Sequence, residues 1–261
     1  MNQLTGPRWW LHDAWLMGGR NARRIVRAPG LLLMYALIQP VVFILLFAYV
    51  FGGAITMPGG DYVQALIPAI FVQMILFSSI GAVAVGLAED MQRGVMDRSR
   101  SLPMTRSSVL LGRIASEVLR SAVTLAVMLG CGLLVGFRFH GSPGMVAAGF
   151  GLLLAFGFAF SWVAAWIGLM AKGVEAAQGL GLVWVFPFTF VSSAFVPTGT
   201  MPGPVRAFAE HSPVTTMIDT LRAWFSGRDA GDDALVTAVW ALALTAVFMT
   251  LAVLRLRRTS S

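Results

Sequence analysis

Residues 89–117, EDMQRGVMDRSRSLPMTRSSVLLGRIASE, carry five arginines and four acids between two stretches that are almost free of charge. Residues 62–88 lie before them and 118–137 after them, and each run is long enough to cross about 30 Å of hydrocarbon. A charged island between two such runs has to lie at one membrane surface. Arg93, Arg98, Arg100, Arg106 and Arg113 assign that surface to the cytoplasm, because basic residues close to span ends set orientation. Pro103 breaks the island into two helical pieces, since it lacks an N–H and biases Leu102 away from helix. A helix, a break and a second helix make a short element suited to contacting a soluble partner. The plainer alternative is a loop whose arginines only fix topology.

Composition supports a membrane chain. Of 261 residues, 57% are hydrophobic and 12% charged, against roughly a quarter charged in soluble domains. The single Cys131 excludes an intramolecular disulfide and a cysteine zinc cluster, and His12, His140 and His211 are too scattered for a metal site. The net charge of +7 resolves into clusters at span ends, which argues for orientation and against nucleic acid. Residues 7–29 combine Trp9, Trp10 and Trp15 with Arg20, Arg23, Arg24 and Arg27. That mixture fits an amphipathic interfacial segment, with a disordered basic tail as the alternative.

Charged boundaries divide the apolar part, 31–254, into six expected spans: 31–51, 62–88, 118–137, 145–170, 179–197 and 235–254. The reading is an all-α integral membrane protein. Pro40, Pro68 and Pro187 fall inside spans, Pro187 near the middle of the fifth, and should bend them. Gly149, Gly151 and Gly157 allow close helix approach in the fourth. Residues 171–178 form a short inner loop, and 198–234 a long outer connection. Within that connection, apolar residues recur at helical spacing on both sides of Ser212-Pro213, which predicts two short amphipathic helices. This topology places 15 of the 19 basic residues inside and both termini in the cytoplasm.

The spans read as free of ionisable groups, with Arg120 at the inner edge of the third. A proton-driven transporter usually needs such a relay inside the membrane, so energy is expected to enter from a partner. The chain has no GxxxxGK[ST] loop and its one lysine is Lys172, so the usual nucleotide site is not its own. Glu210, His211 and Asp219 are the only candidates for a membrane-embedded catalytic group. Aromatic and flexible side chains suit an amphipathic cargo held by apolar area: Met74, Phe77, Phe156 and Phe160, then Trp162 and Phe190 beside the bend at Pro187. Gln73 and Ser161 add polar handles to this candidate path. Packing against lipid or other helices is the alternative for each of these aromatics.

Residues 94–106, GVMDRSRSLPMTR, continued by 110–113, LLGR, resemble the signature segment of ABC-2 type permeases, in particular the daunorubicin-resistance-like multidrug exporters of actinobacteria. Residues 190–197, FVSSAFVP, with 201–203, MPG, and 209–214, AEHSPV, are similar to a second stretch of that family. The resemblance implies a permease subunit without a catalytic, cofactor or metal site of its own. It implies pairing with a second copy or a paralogue and with two cytoplasmic ATPase subunits that hold ATP and Mg. The segment 89–117 would then be the coupling region, with Glu89, Arg93, Asp97, Arg98, Arg100 and Arg106 facing the ATPase. The segment 198–234, marked by Pro197, Pro202, Glu210, His211 and Pro213, would form external re-entrant helices. Expected location is the plasma membrane, and expected cargo a drug-like or lipid-like amphiphile. A lipid-linked glycan, or a non-transporting assembly or immunity role, stands as the alternative.

The charge division makes the topology testable. A cysteine placed at Gly60 or Asp229, in a chain lacking Cys131, should react with a membrane-impermeant thiol reagent in intact cells, and one at Ser99 should not. Reaction at Ser99 alone would invert the topology.

Overall fold

The structure, a computed structural model, describes residues 30–50, 62–93 and 106–258. The interfacial segment expected over 7–29 lies outside the described residues, as do Asp97, Arg98, Arg100 and Pro103 of the island. Within the described residues the chain is helical. Helix α1 runs Gly30–Leu45 and continues through a π-helical turn, Leu46–Val50. Helix α2, Tyr62–Gln92, is 31 residues long and is interrupted midway by a π-helical turn, Ile80–Val85. Helices α3 (Arg106–Val135), α4 (Pro143–Met170) and α5 (Val174–Phe190) follow. Two short helices, α6 (Gly203–Glu210) and α7 (Pro213–Phe225), precede α8 (Asp233–Arg258).

Four of these contain apolar stretches long enough to cross a membrane: Tyr62–Gln92, Leu110–Val135, Pro143–Met170 and Asp233–Leu256. The apolar stretches of α2 and α4 are 67% and 72% buried, whereas those of α3 and α8 are each 22% buried. Thus α2 and α4 form the centre, and α3 and α8 lie at the periphery. Helix α8 runs along α4 and α7 and turns Leu235, Val239, Leu242 and Val247 outward. An apolar outer face is what hydrocarbon allows and water would penalise.

Local signals explain several helix ends. Ser142 accepts a hydrogen bond from the Met145 N–H at 3.3 Å, with Pro143 next to it, and Ser212 with Pro213 does the same for Val214 at 3.3 Å. A hydroxyl acceptor followed by proline satisfies one orphan donor and removes another. At the end of α7, Gly227 has φ 77°. Its N–H reaches the Trp224 carbonyl while the Arg228 N–H reaches Ala223, the paired closure that a left-handed residue permits. The hairpin between α3 and α4 then docks on that end: the His140 and Gly141 N–H groups both donate to the Phe225 carbonyl, at 2.8 and 3.2 Å. Phe137, Phe139 and Phe150 gather around Phe225, with centroids 5.2 to 6.1 Å from Phe150 and Phe137 and 5.0 Å from Phe139.

Glycine sets the spacing at the centre. A Cβ on Gly157 would stand 2.7 Å from the Ile75 side chain, and one on Gly168 only 2.6 Å from the Ala84 carbonyl oxygen. Gly149 faces Phe225 and Leu221 in the same way, whereas Gly151, also expected at an interface, has open space.

Three boundaries differ from the sequence reading. The span expected over 118–137 and the second helical piece expected in the island form one continuous helix, Arg106–Val135. The inner loop expected over 171–178 shrinks to 171–173, because α5 begins at Val174. The fifth span, expected over 179–197, ends at Phe190, so Pro187 lies in its last turn and not near its middle. Charges were used as helix boundaries, but a helix can carry charges where partners meet them. The two short helices on either side of Ser212-Pro213 are present.

Close packing at Gly168 gives a direct check. Gly168→Ala should lower the melting midpoint of the detergent-solubilised protein, by about 1 to 3 kcal/mol of overpacking. Gly151→Ala, with room for its methyl, should leave the midpoint unchanged or raise it.

Candidate functional site

Helices α1, α2, α3 and α5 leave a cavity of about 470 Å³ between them. One wall is the π-helical turn of α2, which contributes Ile80, Gly81, Ala82 and Val85. A π turn carries one residue more than the α-helical ladder requires, and such turns recur at functional sites. Met74, Phe77 and Leu182 add apolar lining, and Gln39, Ser78, Arg120, Thr124 and Gln178 add polar groups. Its volume lies within the range of small-molecule pockets, about 300 to 1,000 Å³.

A buried polar network borders this cavity. The Glu117 carboxylate, with its side chain 2% exposed, pairs with Arg120 one turn along α3, at 2.7 Å from Nη2. Arg120 Nε donates to the same oxygen at 2.8 Å, and Nη2 also reaches the Ser78 hydroxyl and carbonyl, at 2.7 and 3.1 Å. The other carboxylate oxygen accepts from Ser78 at 2.6 Å and from Ser121 at 3.2 Å. Ser78 lies midway along α2, and Glu117 and Arg120 lie within the apolar, membrane-length stretch Leu110–Val135 of α3. This corrects the expectation of spans free of ionisable groups. Glu117 looked like the last residue of the cytoplasmic island, but α3 continues through it. The i, i+3 and i, i+4 spacing puts Arg120 and Ser121 on its face.

Above the cavity runs a ladder of rings. Phe77 meets Phe186 edge-on at 5.8 Å, Phe186 stacks on Phe190 at 5.2 Å, and Phe190 contacts Phe195 at 5.7 Å. Phe195 stacks on Phe47 at 5.0 Å, and Phe47 contacts Phe43 at 5.1 Å. Phe186 and Phe190 are about half exposed, so the ladder borders an open face.

At the far end of α2, Arg222 of α7 holds three carbonyls: Ala65 at 2.8 Å, Ser193 at 2.9 Å and Ala194 at 3.2 Å. Asp219 pairs with the same guanidinium at 3.2 Å and accepts from the Ser193 hydroxyl at 2.8 Å. This latch joins α7, α2 and the turn after α5. At the opposite end of α2, Glu89 pairs with Arg93 at 2.5 Å, and Asp90 pairs with Arg113 of α3 at 2.9 Å.

The candidate path residues separate into two sets. Met74 and Phe77 line the cavity, and Phe190 stands in the ladder, with Pro187 exposed one residue beyond Phe186. Gln73, Phe156, Phe160, Ser161 and Trp162 are instead buried in the α2–α4 core. Ser161 donates to the Gly157 carbonyl at 2.8 Å and lies 3.4 Å from the Ser79 hydroxyl. The Gln73 amide and Trp162 Nε1 make no hydrogen bond among the described residues. Pro197, Pro202 and Pro213 mark the turn after α5 and the starts of α6 and α7. Glu210 pairs with Arg206 at 2.6 Å, and His211 Nδ1 lies 2.9 Å from the Ala207 carbonyl, while Asp219 serves the latch. The three groups considered for catalysis therefore take separate partners. Arg106 opens α3.

A chain whose described residues are helical, with four membrane-length apolar helices of which α2 and α3 wall a cavity, is an integral membrane protein. The profile of the ABC-2 type transporter family matches residues 12–225, and the chain belongs to that family. It is 32% identical over 211 residues to the daunorubicin resistance ABC transporter permease protein DrrB1 of Streptomyces coeruleorubidus, covering 81% of this chain and 74% of that one. It is 27% identical over 252 residues to the probable doxorubicin resistance ABC transporter permease protein DrrC of Mycobacterium tuberculosis, covering 89% of each. With DrrB of the same organism it shares 28% identity over 209 residues, 80% of this chain and 72% of that one. ABC-2 permeases are the membrane subunits of their transporters, distinct from the ABC ATPase subunits with which they normally work.

Arg222 is the most heavily bonded charge at the far end. Arg222→Ala leaves the carbonyls of 65, 193 and 194 without this donor and Asp219 without its cation, and should cost at least about 2 kcal/mol. A fall in the melting midpoint, with Arg222→Lys intermediate because it keeps the charge but loses the planar fork, is the expected result.

Proposed function

We propose that this permease exports an amphipathic, drug-like molecule, powered by ATP hydrolysis with Mg on two cytoplasmic ABC ATPase subunits. It forms half of a transporter completed by a second copy or a paralogue, in the plasma membrane and with both termini in the cytoplasm. The observation that carries the reading is the cavity midway along α2, whose lining residue Phe77 is the first ring of the ladder that runs to Phe43. Ring contacts contribute roughly 0.5 to 1.5 kcal/mol beyond burial, so a series of them offers a planar apolar cargo successive sites of similar depth. No step between such sites need be steep. The relatives named for daunorubicin and doxorubicin resistance support the cargo class.

Coupling follows from the base of the island. ATPase motion delivered to residues 89–106 reaches α2 and α3 together, because Asp90 and Arg113 tie the two helices at that end. Both helices wall the cavity. Arg98 and Arg100 are the docking groups, suited by a planar guanidinium that grips a carboxylate with two donors.

The test is reconstitution of the permease with its ATPase in vesicles and measurement of ATP-dependent movement of a fluorescent planar amphiphile. Phe186→Ala with Phe190→Ala should lower transport about tenfold at equal protein level. Arg98→Ala with Arg100→Ala should weaken ATPase capture while insertion stays normal. Movement that is independent of ATP, or unaffected by loss of both rings, would overturn the reading.

A further inference from the structure

The two oxygens of Glu117 are held differently. Oε1 accepts from the Ser78 and Ser121 hydroxyls, at 2.6 and 3.2 Å, so α2 and α3 fix it without help from the arginine. Among the described residues Oε2 accepts from Arg120 alone, whose Nε and Nη2 lie 2.8 and 2.7 Å away. The Glu117 side chain is 2% exposed, whereas that of Arg120 is 33% exposed and lines the cavity. The arginine therefore covers, on the cavity side, the one carboxylate oxygen that nothing else holds. Thr124, one turn further along α3, and Gln178 of α5 lie in the same lining. A guanidinium released from Oε2 thus has other oxygens within the cavity wall to turn to.

We propose that Glu117 is the specificity-determining residue of this cavity, accepting the ammonium group of a planar amphiphile at Oε2, and that Arg120 is a tethered competitor that yields this oxygen on binding and retakes it on release. The proposal rests on the reading of the cavity as a cargo site. The apolar body lies against Met74, Phe77 and the π turn, and the ammonium brings three N–H donors to the oxygen that the guanidinium leaves. Ser78 and Ser121 keep the carboxylate in place during the exchange. An uncharged group of the same shape cannot displace a cation from its carboxylate. The occupied site holds two cations and one carboxylate, and in apolar surroundings their repulsion is weakly screened. Arg120, fixed to the wall, then has the advantage of high effective concentration in pairing again. A cation is thus both selected and let go. The two halves of a purely structural ion pair fail in the same direction, because either loss leaves a buried charge alone. The two halves of a competed site fail in opposite directions.

Two probes with one planar body separate charge from shape: 1-pyrenemethylamine and 1-pyrenemethanol. Binding to the complete transporter in phosphatidylcholine nanodiscs is read by energy transfer from tryptophan to pyrene, and ATP-dependent export is read in vesicles. The wild-type protein should prefer the amine by about tenfold, the scale of one hydrogen bond to a charged group. Glu117→Gln should remove that preference and leave the alcohol within about twofold of its wild-type affinity. Arg120→Gln should tighten the amine about tenfold and, because release slows, lower both KM and kcat of its export. Glu117→Gln combined with Arg120→Gln leaves no buried charge unpaired, so it decides the matter where a single variant fails to fold, and it should bind both probes within about twofold of each other. Gly81→Leu, at a cavity-lining position where an added Cβ meets nothing within 4 Å, should weaken both probes. Weaker amine binding in both single variants, or an amine preference that survives in the double variant, overturns the roles of Glu117 and Arg120; if Gly81→Leu still blocks, the cargo cavity stands. Full binding of both probes to Gly81→Leu overturns the cavity and the proposal together.

Discussion

Inside hydrocarbon a backbone or side-chain polar group has no water to turn to, and each group left alone costs several kcal/mol. The architecture depends on meeting that constraint wherever the chain departs from plain helix. Hydroxyls inside the helices return to the preceding turn, as Ser79 does to Ile75 at 3.0 Å, Thr189 to Val185 at 2.9 Å and Thr220 to Thr216 at 2.7 Å. Pro68 has no N–H for the Gln64 carbonyl one turn back, and at the next residue Arg222 Nε donates to the Ala65 carbonyl at 2.8 Å. Glu117, the deepest acid among those described, accepts from three side chains.

The same constraint shows in how α2 is held. It is tied to α3 near its basic end by Asp90 and Arg113, and to α7 near its far end through Arg222. Between the ties lies the π turn, which borders the cavity on one side and packs its Ala84 backbone against Gly168 of α4 on the other. Close backbone contact transmits displacement because packed interiors yield little. The contacts at Asp90–Arg113, Ala84–Gly168 and Ala65–Arg222 thus fix α2 at both ends and beside the cavity wall.

Much of the chain was legible before any coordinates. The apolar stretches of α2, α4 and α8 were readable from length and hydropathy, and the helix pair around Ser212-Pro213 from spacing and a capping serine. The candidate path was only half legible. Met74, Phe77 and Phe190 stand on the cavity or the ladder, whereas Phe156, Phe160 and Trp162 are buried. In water a buried ring differs from an exposed one by its polar neighbours along the helix. In a membrane, core, lipid and pathway all select apolar side chains, so periodicity loses its power to tell them apart.

The sequence by itself determined that this chain is a helical membrane protein of a permease family, with most of its basic residues gathered outside its apolar runs. Those properties come from hydropathy, charge and local motifs, which act over one helix or one loop. Only the tertiary structure decided that Glu117 is buried between α2 and α3 and that Arg120 lines a cavity. It also decided that Arg222 ties α7 to α2 and to the turn after α5, and that rings from three separate segments form one ladder. Each of these rests on contacts between helices distant in the chain, as with Ser78 and Arg120. A hydrogen bond or ring contact made across helices leaves no period in the sequence of either one.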